Sequence, residues 1–284
     1  MSAVLIAGCG DVGGELARRL LADGYTVYGL RRRTHLLPEG VQPVAGDVSD
    51  PLSLQAMPAG IDLLCYTAAA DARSAAAYRA AYVDGPRNVL RAVARTSSPR
   101  RVLFASSTRV YPQSAGEWVD EGSSTGGDDP YATLLLEGEA AVRDAAASSV
   151  VVRLAGIYGP GRTRLIDRVR AGEPCGAAWT NRIHRDDSAG VLRHLLRLER
   201  PLPLYLAADG EPATQCAVMA WMAERLGLPA PPTADAGDGS LGKRCRNAHL
   251  VASGYEFEYP SFREGYRAVI ADLAARGKSP AAFE

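Results

Sequence analysis

The chain has 284 residues, with 32 cationic and 32 acidic side chains and a formal net charge of zero at neutral pH. That balance gives no electrostatic case for a nucleic acid or an anionic membrane surface as partner. The length exceeds one average domain without supplying two large ones, so one α/β domain with a smaller appended lobe is expected.

Lysine occurs only at 243 and 278, so almost all the positive charge is arginine. The five cysteines (9, 65, 175, 216 and 245) are scattered, odd in number and without metal-ligand pair spacing. Reduced thiols and no metal site are expected. No apolar run reaches membrane-spanning length, and the N-terminus lacks a basic region followed by an apolar core. A soluble, cytoplasmic protein is the expectation.

In chain order, Val4-Leu5-Ile6-Ala7 reads as a buried strand running into Gly8-Cys9-Gly10-Asp11-Val12-Gly13-Gly14. A helix follows from Glu15 to a glycine stop at Gly24. Strand, glycine turn and helix with G-x-G-x-x-G spacing make a dinucleotide cradle. Gly8 permits the tight turn, Gly10 lets the backbone approach a pyrophosphate, and Gly13 lets the helix pack on the strand. The amides of Asp11, Val12 and Gly13 open the helix, where its positive dipole end favours phosphate. Cys9 reads as a small filler.

Tyr25–Leu30 is the second strand. Where an NAD enzyme places an acid for the ribose hydroxyls, this chain has Arg31-Arg32-Arg33. A guanidinium fork suits a 2′-phosphate, so NADP(H) is preferred and NAD(H) is possible; a solvated basic loop is the alternative. The third strand ends at Asp47-Val48. Asp47 is placed to accept from an adenine amino group, or else to cap a helix over 51–57. A fourth strand, Ile61–Tyr66, leads into Thr67-Ala68-Ala69-Ala70, small residues that let a cofactor lie against the backbone.

A helix is expected from Ser74 to Arg95, then a fifth strand, Arg101–Ala105, opening into Ser106–Tyr111. The stretch 112–129 reads as a loop, and Asp128-Asp129-Pro130 as a helix start. A sixth strand spans Val150–Leu154. Helices near 165–171, 186–198, 214–226 and 262–276, a strand at 204–207 and a linker at 229–242 complete the reading. Strands alternating with helices predict a Rossmann-type doubly wound parallel sheet with a small C-terminal substrate lobe. The Rossmann domain is assigned to 1–160 with 186–207, and the lobe to 161–185 and 208–284. Trp118, Trp179 and Trp221 are too dispersed to suggest a platform. Arg162 and Arg164 fit either an anionic substrate group or a solvated loop. His184 reads as structural, with Asp186-Asp187 suited to capping the next helix.

The glycine turn, Tyr82-Val83-Asp84-Gly85-Pro86-Arg87-Asn88, Ser106–Tyr111, Pro130-Tyr131, Arg153–Gly161 and Ile183–Asp187 together resemble the extended short-chain dehydrogenase/reductase superfamily, its epimerase/dehydratase branch. The tail Gly254–Pro260 is similar to atypical bacterial members. The resemblance implies a Ser/Thr, Tyr and Lys mechanism, with the last two spaced Y-x-x-x-K. It puts Ser107 in the hydroxyl role and Tyr131 in the acid/base role, with Tyr131 also on the cofactor. The lysine position is Leu135, which carries no charge. A phenol without a neighbouring cation titrates near 10, so only about one in a thousand is ionised at neutral pH. Base-driven oxidation of an alcohol is therefore disfavoured; proton donation to a reduced carbonyl or imine is not. An arginine such as Arg109 or Arg153 is the only substitute cation in view.

The resulting expectation is an NADP(H)-binding oxidoreductase with altered or weak catalysis on a small carbonyl-type substrate. The brevity of the 161–184 stretch argues against a nucleotide sugar. The alternative is a non-catalytic NADP-binding sensor or scaffold. The resemblance also implies a possible homodimer through helices near 74–95 and 130–147.

Overall fold

The computed structural model describes residues 2–145, 148–234 and 241–277. In chain order its first elements are β1 (Ala3–Ala7), α1 (Asp11–Ala22), β2 (Thr26–Arg31), β3 (Gln42–Ala45), β4 (Leu63–Tyr66), α2 (Ala75–Arg79), α3 (Gly85–Val93), β5 (Arg101–Ser107), β6 (Ala115–Val119) and α4 (Pro130–Ala145). There follow β7 (Ser149–Leu154), β8 (Gly156–Tyr158), α5 (Arg164–Arg170), β9 (Trp179–Thr180), β10 (Arg182–His184), α6 (Arg185–Arg197) and β11 (Leu204–Ala207). The last are β12 (Ala213–Thr214), α7 (Gln215–Leu226), β13 (Gly242–Cys245), α8 (Ala248–Ala252) and α9 (Phe262–Ala275).

A seven-stranded sheet has the order β11-β7-β5-β4-β1-β2-β3. The pairings of β1 with β2 and β4, β2 with β3, β4 with β5 and β5 with β7 are all parallel. Strands β4 and β1 are apolar along nearly their whole length, as a sheet covered on both faces requires. Leu5, Leu30, Leu64, Val89, Val102 and Phe104 form part of the core beneath it. The strand order reverses between β1 and β4, and in such sheets ligands sit beyond the carboxyl ends of the strands at that point. Gly8 and Thr67 both leave the sheet there.

The chain forms two compact units: Met1–Pro112 with Ser124–Leu154 and Ser188–Tyr205, and Gln113–Ser123 with Ala155–Asp187 and Leu206–Glu284. The stretch 112–129, expected as a loop, contains β6. It pairs in parallel with β13 in a small sheet ordered β12-β9-β13-β6. Its partner lies more than a hundred residues away, and Gly116 and Glu117 interrupt any local strand pattern. Strand β13 begins where the linker was expected to end; 235–240 lie outside the described residues.

The single helix expected from 74 to 95 is instead α2, a π turn at Ala80–Asp84 and α3. Pro86 has no N–H to return to the Tyr82 carbonyl, so the ladder widens. The widened turn is used: Tyr66 donates its hydroxyl to the Ala81 carbonyl at 2.5 Å. A Cβ on Gly138 would stand 1.9 Å from the Tyr82 carbonyl oxygen, so only glycine lets α4 approach here.

The cysteine expectation also fails in part. Cys175 and Cys216 form a disulfide across a sequence separation of 41. Their proximity comes from the start of α7, where the Cys216 amide donates to the Gly176 carbonyl at 3.1 Å, a contact that no spacing rule announces. Cys9, Cys65 and Cys245 are buried free thiols. Burial pushes Cys9 up to about 11, so it stays a protonated filler at neutral pH.

One buried polar network ties α4 to β5 and β7 in the first unit. Glu139, fully buried on α4, receives the Arg153 fork from β7 at 2.9 and 2.8 Å. It also accepts from Ser106 Oγ at 2.7 Å and from Arg143 at 3.1 Å. Arg153 donates its remaining terminal nitrogen to the Tyr111 hydroxyl at 3.0 Å. Removing one member of such a pair strands the other charge in the interior, at a cost of about 3–5 kcal/mol. Glu139→Gln should therefore lower the urea unfolding free energy by about that amount. The double variant Glu139→Gln/Arg153→Met should lose less than the sum of the two single variants.

Candidate active site

The glycine turn is shaped by what crosses it. Gly8 has φ +94°, and a Cβ there would meet the Ala68 backbone nitrogen at 2.2 Å. A Cβ on Gly13 would fall 2.5 Å from the Gly8 carbonyl oxygen and 2.7 Å from Thr67 Oγ1. Thr67 Oγ1 in turn donates to the Gly8 carbonyl at 3.0 Å, joining the ends of β1 and β4. Gly10 differs: the nearest atom to its Cβ would be the Gly8 oxygen at 3.9 Å. The protein itself does not demand glycine there, and the open space lies at the start of α1. Gly10 is the N-cap and supplies no side-chain cap, and the first-turn amides of a helix have no intrahelical acceptor. A space a side chain would fill, bordered by such amides, fits a pyrophosphate.

Ser107 ends β5. Its Oγ accepts from the Arg109 amide at 3.1 Å, which caps the following turn. Asp129 starts α4 by accepting from the Tyr131 amide at 3.0 Å. Its other oxygen accepts from Arg109 Nε at 2.6 Å. Burial works against ionisation of Asp129, but the Arg109 and Tyr131 hydrogen bonds prevail and hold its carboxyl below the usual range. The Arg109 guanidinium lies 4.8 Å from the centre of the Tyr131 ring, and Tyr78 packs on that ring at 4.5 Å. The Tyr131 hydroxyl donates to the Arg73 carbonyl at 3.1 Å. Leu135 is buried in the next turn of α4.

Against this geometry, the NAD dependent epimerase/dehydratase family matches residues 4–192. The chain belongs to that family. A solved structure from Methylobacillus flagellatus, described as a candidate NAD-dependent epimerase/dehydratase, is 39% identical. It covers 96% of this chain and 99% of its own, with a TM-score of 0.82. Protein YeeZ of Escherichia coli K12 is 29% identical over 92% of this chain and 97% of its own length. The Bordetella bronchiseptica enzyme WbmG, solved in complex with NAD, shares the fold at 20% identity, with a TM-score of 0.83 and coverage of 98% and 96%.

Within this epimerase/dehydratase chain the two substitute cations have different fates. Arg153 is consumed by Glu139 and Tyr111, whereas Arg109 stands against Tyr131. Arg32 meets an acid that the sequence did not flag: Asp71, beyond the end of β4, takes its fork at 2.7 and 2.9 Å. That bond holds the Asp71 carboxyl below its usual range. Asp47 lies 3.8 Å from Arg32. Arg31 donates to the Leu36 carbonyl at 2.9 Å. Asp47 Oδ1 accepts from the Ser49 amide and hydroxyl; the following 3₁₀ turn, Pro51–Leu54, is capped by Asp50 rather than Asp47. The Val48 carbonyl accepts from Asn88 at 3.1 Å. Ala69 follows Ala68 on the strip that borders Gly8.

In the second unit, His184 is buried against Tyr259, with ring centres 3.9 Å apart, and its Nδ1 accepts from the Asp186 amide at 3.2 Å. Asp187 does not cap α6. Fully buried, it accepts from the Tyr255 hydroxyl at 2.8 Å and from the Glu258 and Tyr259 amides at 2.8 and 2.9 Å, pinning that segment. Arg162 and Arg164 are exposed. Trp118 and Trp179 are brought together around Arg244, contrary to the expectation of dispersal.

Asp209 was not anticipated. Nearly fully buried, it keeps one oxygen on the Glu211 amide at 3.2 Å, while Oδ2 has no hydrogen-bond partner among the described residues. Burial raises its carboxyl to about 7, with Arg182 opposing the rise and Glu211 and Asp187 adding to it. The folded protein therefore holds this proton more tightly than the unfolded chain. The associated stability is full below about pH 4 and is lost as pH rises to about 7. Asp209→Asn should flatten the fall in unfolding free energy between pH 5 and pH 8 by on the order of a few kcal/mol. Equal slopes for the two proteins in urea titrations would remove Asp209 from the account.

Proposed function

We propose that this chain is an NADP(H)-dependent reductase of the epimerase/dehydratase family, acting on a small carbonyl-type substrate with Tyr131 as proton donor. The observation that carries the reading is the Tyr131 hydroxyl itself: it donates to a carbonyl oxygen, and the side chain one turn away is the uncharged Leu135. A bound nicotinamide supplies or accepts a hydride. Tyr131 Oη delivers a proton to the oxygen of the carbonyl being reduced, and solvent restores it, since the contact is exposed. Ser107 Oγ, held at the end of β5, orients that oxygen. Arg109 and Tyr78 fix the ring between them. With no lysine ammonium near the phenol among the described residues, abstraction of a proton from an alcohol is the weaker direction, so this site is suited to reduction more than to epimerisation.

Gly8, Gly10 and Gly13, with the amides of Asp11 and Val12, would hold the pyrophosphate. Thr67, Ala68 and Ala69 would border the cofactor, and Asp47 and Val48 its adenine. Preference for the 2′-phosphate rests on Arg31 and Arg32, and the Arg32–Asp71 pair qualifies it. The incoming phosphate must displace a carboxylate already seated in the fork. Such an exposed pair is worth about 0–1 kcal/mol, a toll that NAD(H) does not meet. The sensor reading has one observation in its favour, the apolar Leu135.

NADPH oxidation followed across a panel of aldehydes, ketones and imines tests the reading. Turnover that falls about a hundredfold or more in Tyr131→Phe supports it; tight NADPH binding with no turnover on any panel member moves the case to the sensor. In fluorescence titrations, Arg31→Ala/Arg32→Ala should lose most of the NADPH preference. Asp71→Asn should tighten NADPH by up to about fivefold and leave NADH unchanged.

A further inference from the structure

The small sheet of the second unit builds something the cofactor site does not use. Strand β13 lies between β9 and β6, and its register sets Arg244 opposite Trp118 and Gly242 opposite Trp179. The Arg244 guanidinium carbon therefore stands 4.9 Å from the Trp118 ring centre and 5.0 Å from that of Trp179. Its Nε is fixed by donation to the Gly116 carbonyl at 2.8 Å. Glycine shapes the clamp: a Cβ on Gly242 would strike the Trp179 carbonyl oxygen at 2.3 Å, and Gly116, at φ +82°, holds a left-handed turn against the Trp179 ring. Arg246 adds a second guanidinium 5.3 Å from the Trp118 ring centre. Trp118 is still 46% exposed, so the clamp opens to solvent.

Neither Arg244 nor Arg246 has a carboxylate within ion-pair distance among the described residues. Arg263 gives the contrast. It too lies on aromatic rings, those of Phe262 and Trp221, but its fork is closed by Glu211 at 2.9–3.1 Å. The acid on the edge strand, Glu117, accepts from the Ala115 amide instead. Aromatic faces displace water from a guanidinium without neutralising it, which strengthens a bidentate bond to an incoming anion. With Nε committed, the two terminal nitrogens of Arg244 remain as a planar, pre-oriented donor pair.

We propose that Arg244, clamped by Trp118 and Trp179 and assisted by Arg246, is an oxyanion site that takes a carboxylate or phosphate group. That this group belongs to the substrate rests on the reductase reading above; the binding itself does not. The substrate is then a carbonyl compound bearing an anionic group.

The two indoles report on the site directly. Tryptophan emission of the whole protein is followed during titration with inorganic pyrophosphate and with malonate, at ionic strength held constant with sodium chloride. A saturable change is expected, weakened at least tenfold in Arg244→Gln, severalfold in Arg246→Gln and unaltered in Arg263→Gln. Thermal melting checks each variant; should Arg244→Gln fail to fold, Arg244→Lys keeps the charge without the fork and should weaken binding as well. Tighter pyrophosphate assigns a phosphorylated ligand, and tighter malonate a carboxylated one. A response no different from chloride, or the same affinity in the folded Arg244 variant, overturns the proposal. NADPH titration of the same samples separates the outcomes: anion binding without NADPH binding sinks the reductase reading and leaves the oxyanion site standing.

Discussion

Glu139 carries a charge where no water reaches it, and the geometry of the first unit follows from how that charge is compensated. Arg153 and Ser106 hold it from β7 and β5, Arg143 from its own helix, and Tyr111 occupies the remaining reach of Arg153. Ser106 adjoins Ser107, and Tyr131 lies two turns before Glu139 on the same helix. The network thus fixes the strand end and the helix that present the two candidate hydroxyls. Hydrophobic burial alone would allow α4 to slide by a fraction of a turn. A satisfied buried network does not, because each displaced donor or acceptor would be left unpaired.

The same helix is held from its other side by a backbone irregularity. Gly138 lets α4 approach the Tyr82 carbonyl, and the π turn that positions this carbonyl exists because Pro86 cannot continue the ladder. Neither Gly138 nor Pro86 touches the candidate chemistry. Both set where Tyr78 and Tyr131 meet, and so how the Tyr131 hydroxyl comes to lie on the Arg73 carbonyl.

What could be read in the sequence was what short-range physics determines. The β1–glycine–α1 unit, the Asp129 start of α4, the strand Leu204–Ala207 and the helix capped by Thr214 all carry their signals within a few residues. Apart from the helix that Pro86 divides, the misread elements depend on distant partners. Strand β6 has an interrupted pattern and becomes a strand only when β13 meets it; the disulfide and the Trp118–Arg244–Trp179 clamp arise in the same way. Asp71 is a further case. An acid in a loop after β4 carries no mark of its purpose until β2 brings Arg32 beside it. Asp187 was noticed for the right property, its carboxylate, but given the wrong partners. Capping a helix needs one backbone amide, whereas a fully buried carboxylate calls for several donors, and Tyr255, Glu258 and Tyr259 supply them.

The arginine bias of the chain bears on the direction of the chemistry. A lysine ammonium is a compact charge on a flexible stem and can reach a phenol oxygen end-on. The cation beside Tyr131 is instead a planar guanidinium whose Nε is committed to Asp129 and whose carbon stands over the ring. From there it packs the ring and sets its orientation; it does not present a donor to Oη, whose hydrogen bond runs to Arg73. Arg153 carries the same charge but is locked into the core by Glu139, and releasing it would break the tie between β7 and α4. One guanidinium is thus already holding the scaffold, and the other, tied to Asp129, lies over the ring rather than at its oxygen. In the proposed reductase the phenol in that setting serves as the proton donor to a forming alkoxide.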